Sequence, residues 1–154
     1  MVYYYSATNK TKIYADLLAD LLGCSAYELK AEMEATGEVK ILFKALWAMI
    51  RKKDIKVTNM PDSFDKEIYL CGPVWAGSPA LPVLYLLKTA DLKGTTVHML
   101  LTAGAVGEKI IQKATDCIIS AGCVPGKVHV FVGSDDTERE VAEEHIRKLY
   151  LDED

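Results

Sequence analysis

The eleven residues that open the chain, MVYYYSATNKT, restrict its fold more than any other stretch. Val2 to Tyr5 join a β-branched residue to three aromatics, the composition of a strand buried in a sheet, and Ser6 to Thr11 then bring three hydroxyls and an amide. From Lys12 to Leu22, apolar residues fall at Ile13, Leu17 and Leu21 and again at Tyr14, Leu18 and Leu22, which is helical spacing with a broad apolar face; Gly23 offers its stop. A buried strand that passes through a short polar loop into a helix is an α/β opening. The first-turn N–H groups of such a helix are unsatisfied and its dipole favours an anion, so short hydroxyl side chains can complete a phosphate cage without an arginine. The same residues also suit a helix N-cap cluster that binds nothing.

The pattern then repeats. Ala26–Leu29 reads as a short strand, and the stretch from Lys30 to Lys66 is longer than a minimal crossover needs, so something is inserted there. Ile41 to Ile50 is apolar except at Lys44 and is closed by Arg51-Lys52-Lys53; we expect an inserted apolar helix around 38–53, sandwiched between other parts of the protein. Glu67–Gly72 is a continuous apolar strand, central and parallel, which Pro73 is expected to end. Ser78-Pro79 predicts a helix start and a helix over Pro79–Ala90. A strand over Thr95–Leu101, a small-residue loop over Thr102–Gly107, a helix over Glu108–Ala121, a strand over Lys127–Val132 and a helix over Asp135–Leu149, with Val141, Ile146 and Leu149 facing inward, complete the reading. Five strands alternating with helices predict one domain over 1–154, a doubly wound five-stranded parallel sheet.

Composition excludes several classes. Half the 154 residues are hydrophobic, enough for a core, yet no apolar run reaches the roughly 18 residues that span a bilayer, and the apolar N-terminus is too short and aromatic for a signal peptide. A cytoplasmic protein is expected. The net charge of −4 argues against nucleic acid. Cys24, Cys71, Cys117 and Cys123 lack C-x-x-C spacing and read as buried reduced thiols, with no zinc site. His98, His129 and His145 fall on regular elements and read as structural. Neither G-x-x-x-x-G-K-[ST] nor a G-x-G-x-x-G after the first strand is present, so P-loop and dinucleotide sites are unsupported.

Ser6-Ala7-Thr8-Asn9-Lys10-Thr11 resembles the phosphate loop of flavodoxins, with Asn9 where that family usually has glycine. Asparagine tolerates the left-handed backbone region better than most residues. Pro73-Val74-Trp75-Ala76-Gly77 is similar to the second flavin loop of the family, and Thr102-Ala103-Gly104 to the third, which here lacks the family's stacking tyrosine. The resemblance implies strand order 2-1-3-4-5 and FMN as cofactor. The phosphate would lie on Ser6 to Thr11, with Lys10 either adding attraction or merely solvated. Trp75, expected in a loop, would stack on the flavin ring, and Ala76, Gly77 and Thr102 to Gly104 would supply backbone around it. An aromatic-rich stretch like the inserted one can lie near the flavin edge in one branch of the family, which adds Phe43 and Trp47 as candidates. The implied function is electron transfer between redox protein partners, with no catalytic side chain required and no metal. An NAD(P)H-dependent FMN or quinone reductase and a flavin-free interaction domain are the alternatives. Enzymes of this kind often build sites between subunits, so a homodimer stays open.

Overall fold

The computed structural model describes residues 1–32, 55–105, 107–133 and 139–151. The expected helix around 38–53, with Phe43 and Trp47, and residues 135–138 of the expected last helix lie outside them. In chain order the elements are β1 (Val2–Tyr4), α1 (Lys10–Leu22), β2 (Ala26–Glu28), β3 (Glu67–Trp75), β4 (Ser78–Pro79), α2 (Leu81–Thr89), β5 (Thr96–Ala103), α3 (Glu108–Ser120), β6 (Val124–Val132) and α4 (Arg139–Tyr150). The parallel strands run in the order β2-β1-β3-β5-β6, with the two-residue β4 paired antiparallel to β3. Setting β4 aside, this is the expected 2-1-3-4-5.

Period-two alternation divides the core into two layers. Tyr3, Tyr5, Ile68, Leu70, Val97, Met99, Leu101 and Val130 point to the face covered by Val83, Leu86 and Leu87 of α2 and Ala114 and Ile118 of α3. Val2, Tyr4, Cys71, Leu100 and Phe131 point to the other, covered by Tyr14, Leu17 and Leu18 of α1 and Ala142 and Ile146 of α4. The chain leaves β1 through α1 to β2 on one side, and β3 lies on the other side of β1. That reversal opens a crevice beyond the carboxyl ends of β1 and β3. Among the described residues, no helix is long and apolar enough to cross a membrane.

Several boundaries differ from expectation, each for a local reason. β3 does not stop at Gly72 but runs through Pro73 to Trp75. Its pairing with β1 ends at Cys71, so the N–H that proline lacks has no strand to bond on that side, while the Pro73 carbonyl accepts the Ala80 N–H at 3.0 Å. Ser78-Pro79 does not start a helix: both residues are spent on β4, and α2 begins at Leu81 with Ala80 as N-cap and Pro82 in its first turn. β5 extends two residues past Leu101, so Thr102 and Ala103 belong to the strand rather than to a loop. In α1, Leu21 and Leu22 of the last turn are exposed, while Leu17 and Leu18 one turn earlier are buried; in α4 Val141 is 43% exposed, and Ala142 takes the inward position. β6 starts earlier than expected, at Val124, and carries an irregularity opposite Val97 and Met99, where the Lys127 N–H donates to His98 Nδ1 at 2.9 Å.

Candidate functional site

Three segments meet at the carboxyl edge of the sheet: Tyr5–Asn9 after β1, the turn after β3 and the residues after β5. The first leaves polar groups without partners. Asn9 is the N-cap of α1 at φ 64° and ψ −9°, in the left-handed region, and its side chain makes no capping hydrogen bond. The Asn9 carbonyl accepts the Ile13 N–H at 3.2 Å, so the N–H groups of the first turn stay without helical partners. Ser6 Oγ is buried and has no hydrogen-bond partner among the described residues. A buried hydroxyl without a partner costs about 1–3 kcal/mol, which an anion seated at the helix terminus would recover. Thr8 is exposed beside it.

Lys10 and Thr11, named from sequence with this loop, are turned elsewhere. Lys10 is only 8% exposed, and its ammonium donates to the Gly133 carbonyl at the end of β6; it is neither a solvated lysine nor a cation standing free at the loop. Thr11, 2% exposed, shares a 2.8 Å hydrogen bond with Thr102 Oγ1, so both hydroxyls look into the body of the protein. Gly133 was not among the sequence candidates. A backbone carbonyl leaves no residue-type signal.

The second segment is a hairpin tip. Trp75 pairs with Ser78 across Ala76 and Gly77, whose φ values are 46° and 73°. Two central residues at positive φ are the mark of a type I′ turn, and an alanine there carries strain that glycine would not. Ala76 and Gly77 are exposed at the tip, while Pro73 and Val74 are half-buried in β3. Trp75 is not in a loop. It is the last residue of β3, 6% exposed, and stands edge-on to Tyr5 with ring centroids 5.5 Å apart. Tyr5, the residue that follows β1, was not singled out from sequence as a site residue; burial pushes its phenol up from 10.0. Ala103, the last residue of β5, is buried; Gly104 and Ala105 after it are exposed, and a Cβ added at Gly104 would meet nothing within 4 Å.

The geometry therefore places hydroxyls and unpartnered amides at one end (Ser6, Thr8 and the first turn of α1) and small, exposed residues at the other (Ala76, Gly77, Gly104 and Ala105). Among the described residues no group of three or more His, Cys, Asp or Glu could hold a metal ion. His98 is tied up, accepting from Lys127 and bonded to Glu67 at 2.7 Å, and His145 bonds Tyr14 at 2.9 Å.

No protein-family model and no curated protein matches the sequence. Solved structures do. A provisionally named flavoprotein from Bacteroides uniformis aligns over 96% of this chain and 97% of its own, at TM-score 0.76 and 22% identity. A flavoprotein in complex with FMN from Lactobacillus acidophilus aligns over 84% and 90%, at TM-score 0.68 and 22% identity. The oxidised flavodoxin 2 of Bacillus cereus aligns over 94% and 93%, at TM-score 0.52 and 14% identity. The chain has the flavodoxin-like fold. At these identities the likeness is one of fold, and in the flavodoxin-like fold the crevice beside β1 and β3 is where a ligand is expected.

Proposed function

We propose that the chain binds FMN at the carboxyl edge of its sheet and passes electrons between redox protein partners in the cytoplasm. The observation that carries this reading is the buried, unpartnered Ser6 Oγ beside the uncapped start of α1, at the reversal of strand order. A phosphate monoester satisfies that hydroxyl and the first-turn amides together. Ser6, Thr8 and the α1 amides would hold the phosphate; the Ala76–Gly77 turn and Gly104 would hold the ring. FMN bound there supplies one- and two-electron redox chemistry. The chain's own residues bind and orient: Asn9 turns the backbone into the helix, Trp75 and Tyr5 fill the space below the crevice, and Pro73 to Ser78 fix the turn that borders it. No general base is needed. One solved structure of this fold contains FMN, which supports the choice of ligand.

A second reading, an NAD(P)H-dependent FMN or quinone reductase, is favoured by the exposed Gly104 and Ala105, which leave room above a bound ring. Titration of FMN into apo-protein, followed by tryptophan and flavin fluorescence, tests the first reading and is expected to saturate in the micromolar range. Absence of quenching rejects it in favour of a flavin-free interaction domain. Electrochemical titration of the loaded protein is expected to show two separate one-electron waves, with only slow NADH or NADPH oxidation. Rapid turnover of NAD(P)H with a quinone acceptor instead selects the reductase.

A further inference from the structure

Thr11 and Thr102 lie 91 positions apart, yet their hydroxyls share one hydrogen bond inside the protein. Thr102 is the next-to-last residue of β5, a strand held on both sides by β3 and β6, where it pairs with Pro73 and Phe131. Thr11 is the second residue of α1, in the turn whose amides face the anion seat. Its neighbour Lys10 makes a parallel tie to Gly133, just past the end of β6. Two successive residues of the helix start are thus fastened to the ends of two adjacent strands. Tyr14 and Leu18 hold the body of the helix against the sheet, and the two ties hold its start. The strand that takes the Thr11 tie is also the strand whose end presents Gly104 to the crevice.

A ligand with a phosphate at one end and a flat ring at the other gains from both ends only if the two seats are held at its own spacing. A hydrogen bond does this better than apolar contact, because it is directional and fails beyond about 3.5 Å. Resting on the FMN reading, we propose that Thr102 is a positioning residue: acting through Thr11, it sets the spacing between the phosphate seat and the ring seat, and so selects phosphorylated over unphosphorylated flavin.

The test compares FMN and riboflavin dissociation constants for wild type, Thr102→Ser and Thr102→Val. Thr102→Val is expected to weaken FMN by about tenfold and riboflavin by no more than about twofold, collapsing their ratio, while Thr102→Ser keeps the wild-type ratio. Equal losses for both flavins, or no loss, overturn the proposal alone. A wild type that binds no FMN overturns the flavin reading and this proposal with it. Should Thr102→Val leave Thr11 unpaired and fail to fold, the double variant Thr11→Val/Thr102→Val removes both hydroxyls and leaves neither partner buried and unsatisfied. The same collapse of the ratio is expected of it, and a wild-type ratio overturns the proposal.

Discussion

Trp75 meets Tyr5 edge to face, with ring centroids 5.5 Å apart and planes at 86°, directly below the hairpin tip. An edge-to-face aromatic pair adds about 0.5–1.5 kcal/mol to what area burial already gives. Because the indole is in the core, Trp75→Ala is expected to cost about 3 kcal/mol of stability, within the range for buried Trp truncations. It is also expected to weaken FMN binding, through loss of support for the Ala76–Gly77 turn. Urea denaturation measures the first quantity and flavin fluorescence the second. A stability loss below about 1 kcal/mol would place the indole in solvent-facing contact with a ligand instead.

The difference between the Trp75 predicted from sequence and the one observed shows where the sequence was legible. The alternation of strands and helices could be read because Glu67 to Gly72 is apolar without interruption and the helices repeat with a clear period, whereas the strand order came with the flavodoxin resemblance. The tip of β3 could not, because proline ordinarily ends a strand and its tolerance here depends on β1 having already stopped, a fact of pairing rather than of composition. Ala76-Gly77 is a weak hairpin signal beside Asn-Gly, so Ser78-Pro79 read more naturally as a helix cap than as a strand. The loop between β1 and α1 was legible as a motif, and the left-handed Asn9 followed from residue chemistry. The inward turn of Lys10 and Thr11 was not, since their partners Gly133 and Thr102 lie more than ninety residues away and carry no matching signature.

His129 gives the protein a pH dependence of predictable sign. Burial first, then the neighbouring His145 and Lys127, lower its pKa below 6.5. In the unfolded chain the ring takes up a proton near pH 6.5, whereas in the fold it does so only at lower pH. Between those values the unfolded state holds more protons, so stability falls as pH drops. Melting temperatures measured from pH 7.5 to pH 5 are expected to decline below about pH 6.5, and more gently in His129→Gln. Identical declines in the two proteins would remove His129 as the cause.

Asn9 carries the sharpest test of the loop. At φ 64° it occupies a region that glycine enters freely, asparagine at small cost and β-branched residues only under strain. Its side chain makes no capping bond, and its carbonyl, which does accept from Ile13, is present in every substitution. Asn9→Gly is therefore expected to keep stability within about 0.5 kcal/mol and to preserve or tighten FMN binding. Asn9→Val is expected to cost about 1–2 kcal/mol, as a Cβ forced into the left-handed region does, and to weaken FMN binding because the relaxing loop turns its amides and Ser6 away from the phosphate. Urea midpoints and FMN titrations of the three proteins read both effects. Equal stability and equal affinity for the glycine and valine variants would show that the left-handed turn at residue 9 is not what shapes the anion seat.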